Sequence, residues 1–126
     1  MNGNAYFLDT NAIIALLQGN KQIYGYLQTA QWIGISIISQ IEFLAFPGLS
    51  NSDKQIFRQF LSRVHVIELS PSQTDIIDLI IKLRQKYNLK LPDAIIAATA
   101  IQYNAELITS DVHFAKIIEL NTIGFV

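Results

Sequence analysis

The chain has 126 residues, of which 51% are hydrophobic and none is cysteine, and its formal net charge is −1. That is the length of one domain able to bury its own core; it excludes disulfides, cysteine zinc sites and thiol nucleophiles, and a reducing cytoplasm is the expected setting. The charge balance gives no global attraction for nucleic acid, so a polyanionic substrate needs a local basic patch or a bound cation.

The N-terminal stretch MNGNAYFLDTNAIIALLQGNK has no basic region before its apolar residues, and its first lysine is Lys21, so no signal peptide is expected. AYFL (5–8) reads as a strand, followed by helices at 10–18 and 20–30 with a break at Gly19. IGISII (33–38) is the second predicted strand, and Ser39-Gln40-Ile41-Glu42 then fits a capping box opening a short helix over 39–46. The oiliest run, WIGISIISQIEFLAF, is broken by Gln40 and Glu42 well short of the roughly 20 apolar residues a membrane-spanning helix needs. Ile41, Phe43, Leu44, Ala45 and Phe46 leave that short helix apolar nearly all round, which points to partial exposure to another chain.

After the Pro47-Gly48 break, a helix over 52–62 carries the basic residues Lys54 and Arg58, with Arg63 just beyond it, and VHVIEL (64–69) is the third strand. The amphipathic segment 72–88 turns Ile76, Ile77, Ile80, Ile81, Leu83 and Tyr87 toward a core, leaving Asp75, Asp78, Lys82 and Lys86 outside. Lys82 and Lys86, with Arg84 and Lys90 nearby, read as a solvated face rather than a phosphate track, and so do Lys54, Arg58 and Arg63. LPDAIIAATA opens a helix over 93–104 whose mixture of Ile, Ala and Thr suits close packing on several sides. ELIT (106–109), a helix over 111–119 and TIGFV (122–126) complete the chain. Strands alternating with helices throughout 1–126 predict one α/β domain, a parallel sheet wound on both faces.

Four acids stand at the starts of predicted helices: Asp9 after AYFL, Glu42 after IGISII, Asp93 after Pro92, and Asp111 after ELIT. Each alone is an acceptable cap or first-turn acid. In a wound parallel sheet, however, the carboxyl ends of the strands and the helix starts beyond them share one edge, where ligands bind, so the four can converge. Their neighbours are apolar or polar and uncharged, with Thr10, Asn11, Ser39, Thr109 and Ser110 but no adjacent Lys or Arg. Carboxylates brought together without a base either take up protons or hold a cation, and hard oxygen donors suit Mg²⁺ or Mn²⁺.

In this order and over nearly the whole chain, LDTNAII, SIISQIEFL, LPDAIIAATA and LITSDVHF resemble the PIN domain, and within it the VapC-like ribonuclease toxins of bacterial toxin–antitoxin pairs. The resemblance implies a three-layer fold with a five-stranded parallel sheet flanked by helices. It also implies a metal-dependent endoribonuclease acting on RNA, a homodimer, and a VapB-like antitoxin partner. Asp9, Glu42, Asp93 and Asp111 match the family's acidic quartet, and Asn11, Ser39 and Thr109 match polar positions that support it. Asp9 and Asp93 are expected as metal ligands, Asp111 as a ligand or an anchor behind one, and Glu42 as a ligand or orienter of the attacking water. Some relatives carry a further acid or amide just after the last acid, where this chain has Val112 and His113.

Rival readings fit less well. A receiver domain needs an Asp after its third strand, where VHVIELS offers Glu68, and a Lys after its fifth, where the given sequence ends in TIGFV. A haloacid-dehalogenase-like phosphatase needs a second Asp where Asn11 stands. His65 and His113, the only histidines, accompany no nucleophile-elbow serine, and His113 reads as packing or a pocket-rim contact. A catalytically silent PIN-fold interaction module is the remaining alternative.

Overall fold

The structure, a computed structural model, describes residues 4–126, so the first three positions of the expected domain lie outside it. Five strands, β1 (Asn4–Leu8), β2 (Ala30–Ser36), β3 (His65–Ile67), β4 (Glu106–Ile108) and β5 (Thr122–Ile123), pair in the order β3-β2-β1-β4-β5. Every pairing is parallel, as expected from the alternation. Six α-helices flank the sheet: α1 (Thr10–Leu17), α2 (Lys21–Gln28), α3 (Ile37–Leu44), α4 (Asn51–Leu61), α5 (Thr74–Tyr87) and α6 (Leu91–Gln102), with a 3-10 helix at Val112–Lys116.

Central β1 is apolar from Ala5 to Leu8 because it is covered on both faces there. Ala5 and Phe7 point into one core with α5 and α6, while Tyr6 and Leu8 point into the other with residues of α1 to α4. Leu8, Ile13, Ile35 and Ile108 are fully buried, each contributing about 1.5–3 kcal/mol of transfer free energy. All residues of α6 from Ala94 to Ala100 are buried, the small Ala and Thr side chains letting it lie close to the sheet, as the composition predicts. α5 covers α6 with Ile76, Ile80 and Leu83, but Ile81, expected inward, is 49% exposed. The start of α5 and the end of α6 share a cavity lined by Ser72, Thr74 and Tyr103, so the two run antiparallel.

Several boundaries differ from expectation, each for a local reason. β2 ends at Ser36, and Ile37 and Ile38 are helical: the Ser36 hydroxyl accepts from the Ile38 N–H at 3.1 Å and starts α3 early, overriding the β-preference of the two isoleucines. Ser39 therefore lies inside α3, the Ser39–Glu42 capping box does not form, and Glu42 sits in the second turn. The capping box forms instead between Ser50 and Asp53 at the start of α4. Expected helix 111–119 shortens to the 3-10 turn. β5 pairs over only two residues because the end of the chain turns to α2, where Tyr26 donates to the Gly124 carbonyl (2.7 Å) and Asn20 to that of Val126 (3.0 Å).

Trp32 lies in the middle of an aromatic stack, 5.2 Å from Tyr103, 5.4 Å from His65 and 6.4 Å from Phe7. It fits there because Gly34, two residues along the same strand face, has no side chain: a Cβ would meet the indole at 2.3 Å.

Candidate active site

Register places the first two acids. Leu8 pairs with Ile108, so β1 and β4 end side by side and deliver Asp9 and Thr109 to the same point of the carboxyl edge. Asp9 caps α1 and is only 5% exposed; one carboxylate oxygen accepts from the Ala12 N–H at 2.8 Å and the other from the Thr109 hydroxyl. Thr109 Oγ1 in turn accepts from the Asp111 N–H at 3.0 Å. Asp111 caps the 3-10 helix, its Oδ1 receiving the His113 N–H at 2.9 Å and facing His113 Nδ1 at 2.8 Å.

The other two acids arrive from helices. Asp93 occupies the first turn of α6, whose start is fixed by Pro92. Glu42 reaches in from α3 and accepts a hydrogen bond from the Thr10 hydroxyl. All four acids line one cavity of about 240 Å³, together with Thr10, Asn11, Phe46, Ile96 and Phe114. The expected quartet is thus brought to one place, although Glu42 gets there from a second helical turn.

The electrostatics follow from burial and like charge. Burial pushes the Asp9 carboxyl above its ordinary pKa against the pull of the Thr109 and Ala12 hydrogen bonds, and the Asp111 and Asp93 charges push the same way. Asp93 is also raised, first by burial and then by Asp111 and Glu42, with Lys90 and His113 opposing. Asp111 is lowered, chiefly by the His113 backbone N–H and then, against some burial, by its ring. Among the described residues none of the four forms an ion pair with Lys or Arg; Lys86 pairs with Glu119, and Asp111 faces the His113 ring.

A hard divalent cation fits this donor chemistry: carboxylate oxygens close enough to feel one another, with no Lys or Arg paired to them among the described residues. Among the described residues no group of three or more His, Cys, Asp or Glu is close enough to hold an ion together. The carboxylates line the cavity without clustering, and Asp9, Glu42 and Asp111 are each turned to a local donor. Holding a shared ion therefore requires a side chain to move, and Glu42, exposed and bonded through Thr10, is the one free to swing.

Of the supporting residues, Asn11 lines the cavity and Thr109 bridges Asp9 and Asp111. Ser39 is buried, its hydroxyl has no partner among the described residues, and it is not part of the cavity wall. His113 stands at the rim with its ring 73% exposed. The sequence reading missed Thr10 as the donor to Glu42, although its place directly after Asp9 was a usable signal. Of the apolar walls, Ile96 and Phe114 carry no signal beyond core periodicity, and Phe46 was expected at a partner-facing surface rather than at the acids. His65 stacks on Trp32, and Lys86 is paired with Glu119, so neither faces the acids.

Comparison with known proteins bears on this site. The PIN domain family matches residues 6–120. A chain from a toxin–antitoxin complex of Klebsiella pneumoniae is 34% identical, superposes with a TM-score of 0.77, and is matched over 94% of this chain and 96% of that one. VapBC2 from Rickettsia felis, bound to a DNA fragment from their promoter, is 26% identical with a TM-score of 0.76, covering 97% and 99% of the two chains. VapBC-1 from nontypeable Haemophilus influenzae is 26% identical with a TM-score of 0.77, covering 95% and 97%. No match is found among curated proteins.

Proposed function

The chain belongs to the PIN domain family and is VapC-like within it, and from that premise we propose that it is a Mg²⁺- or Mn²⁺-dependent endoribonuclease, the toxin of a toxin–antitoxin pair. One observation carries the proposal: Asp9, Glu42, Asp93 and Asp111 line a single cavity with no Lys or Arg paired to them. In such a site a divalent ion, when bound, supplies positive charge for the phosphate and lowers the pKa of water for in-line attack on phosphorus.

The residues divide the remaining work. Asp9 is the fixed point, its two oxygens already oriented by Ala12 and Thr109, and Asp93, raised by burial and then by its acidic neighbours, gains from a cation as Asp9 does. Glu42 is exposed and held only through Thr10 in the described hydrogen bonds, so it is free to swing toward an ion or the attacking water. Asp111 is a ligand or an anchor behind one. Asn11 offers an amide to a phosphate oxygen. Phe46, Ile96 and Phe114 exclude water from one side and strengthen every charge interaction inside.

The partners follow from exposed apolar surface. Ile41, Leu44 and Phe46 are 58%, 43% and 46% exposed, and Phe46 also borders an apolar cleft with Ile14, Leu17 and Leu49. That surface suits a VapB-like antitoxin or the second protomer of a homodimer. The proposed setting is the cytoplasm, with residues 1–126 forming one nuclease domain; no helix is long and apolar enough to cross a membrane among the described residues.

Purified protein freed of antitoxin is expected to cut RNA with Mn²⁺ or Mg²⁺, to stop with EDTA, and to lose cleavage in Asp9→Ala. Cleavage untouched by both chelation and the substitution refutes the metal-nuclease reading. Specific binding to an antitoxin without any cleavage favours the silent interaction module.

A further inference from the structure

We propose that His113 is a positioning residue for Asp111, its imidazole fixing the plane of that carboxylate so that one oxygen remains presented to a divalent cation in the acidic cavity. The inference rests on the metal-nuclease reading above and assigns a role to a residue that the reading leaves idle.

The geometry is specific. The backbone N–H of His113 and its ring Nδ1 both approach the same oxygen of Asp111, Oδ1, at 2.9 and 2.8 Å. A carboxylate facing Nδ1 requires that nitrogen to carry its hydrogen, so the ring donates. One N–H on a carboxylate leaves the broad, two-fold χ2 torsion of aspartate free to swing or exchange oxygens. Two donors reaching one oxygen from different directions fix the plane. Oδ2 is thereby left over, on a residue that lines the cavity.

The Asp111 backbone is held as well, its N–H donating to Thr109 Oγ1, and the same Thr109 hydroxyl donates to buried Asp9. A continuous chain of hydrogen bonds therefore runs from the exposed rim, His113, through Asp111 and Thr109 to Asp9. A ring donor at this place orients an acid without putting a Lys beside the quartet to cancel it. The imidazole is 73% exposed, so its removal loses little packing, and the backbone N–H cap survives any substitution except proline.

Direct binding of Mn²⁺ to metal-free protein, followed by the electron paramagnetic resonance of the free ion, tests the proposal without substrate. Partners that orient metal ligands are worth about 10–100-fold in metal affinity, so His113→Ala is expected to bind Mn²⁺ at least about tenfold more weakly. Its melting temperature in EDTA should match the wild type. His113→Asn places an amide nitrogen near the position of Nδ1 and should restore most of the affinity. His113→Gln places it near that of Nε2 and should not. Equal Mn²⁺ affinity in wild type and His113→Ala overturns the role of His113 and leaves the metal site standing, as does a loss that Asn fails to restore. A wild type that binds no Mn²⁺ overturns the metal reading and this inference together.

Discussion

Asp93→Asn separates a metal ligand from a mere first-turn acid, because the two roles move stability in opposite directions. As a first-turn acid of α6, Asp93 gains about 0.3–1 kcal/mol from the helix dipole, which Asn forfeits. Against this, burial and the charges of Asp111 and Glu42 raise its pKa, so its ionised form is less favourable in the folded than in the unfolded protein. A neutral side chain escapes that cost. The metal-free variant is therefore expected to melt at or above the wild-type temperature. With Mn²⁺ at ten times its dissociation constant, wild type gains about 1.4 kcal/mol, roughly 4–7 °C for a chain of this length. If the substitution weakens binding about tenfold, the same Mn²⁺ concentration gives the variant only about 0.4 kcal/mol. Four thermal melts, each protein with EDTA and with Mn²⁺, supply the comparison. A variant that is less stable without metal and fully stabilised by it refutes the reasoning and leaves Asp93 as a dipole partner of its helix.

Gly34→Ala drives a methyl group into the Trp32 ring and is expected to cost about 1–3 kcal/mol, with a change in tryptophan emission as the stack with His65 and Tyr103 opens; an unchanged spectrum and melt contradict this. On α3, Phe43 is 5% exposed and stacks on Phe57 at 4.1 Å, so Phe43→Ala should cost about 3–5 kcal/mol by denaturant unfolding. Ile41→Asp, on the exposed face, should leave the monomer within about 0.5 kcal/mol while weakening self-association or antitoxin binding in light scattering. In EDTA, Asp9 and Asp93, both raised on folding, should each destabilise at neutral pH, progressively less as the pH falls through their folded pKa values, and not at all below the unfolded ones, whereas the stabilising share of Asp111, which is lowered, disappears only at still lower pH. The stability gap between wild type and Asp93→Asn should accordingly narrow on mild acidification; a gap that widens reverses the sign.

The acids were legible because their positions carry two local signals at once, a strand end or proline before them and a helical run after. Asp9 follows the apolar β1 and Asp93 follows Pro92, and both stand where that grammar puts them. α6 was equally legible, since a run of Ile, Ala and Thr without charge has nowhere to go but the interior. Where two caps competed, the sequence was ambiguous: Ser36 and Ser39 both precede helix-compatible residues, and Ser39 had the better box in Glu42, yet Ser36 starts the helix. The face of α3 was only half read. Its sequence is apolar nearly all round, but burial of Phe43 depends on Phe57 of α4, a contact no local pattern encodes. What the donors that orient the site pair with is hidden for the same reason. Thr10 meets Glu42 across 32 positions and Thr109 meets Asp9 across 100, and only the parallel register of β1 with β4 makes the latter inevitable.

The capping and chemical readings of Asp9 need not compete, and a comparison within the chain shows which one explains the residue type. α2 is capped by Asn20, whose side-chain oxygen accepts from the Ile23 N–H at 3.0 Å, so a neutral amide does that job in this fold. Asn and Asp are about equal as caps. At the start of α4, Asp53 carries its charge in the open, exposed to water, where it costs little to hold. Asp9 has neither excuse. It is 5% exposed, and a buried charge costs several kcal/mol unless donors offset it. Two donors do so in part, each charge-assisted bond being worth about 1.5–3 kcal/mol, but Asp93 and Asp111 add repulsion and the pKa stays raised. Asn at position 9 would cap α1 without that cost, giving up the charge and the second acceptor that takes the Thr109 hydroxyl. The charge is therefore what capping leaves unexplained, and a cation held between Asp9 and its acidic neighbours is the partner that would make it favourable.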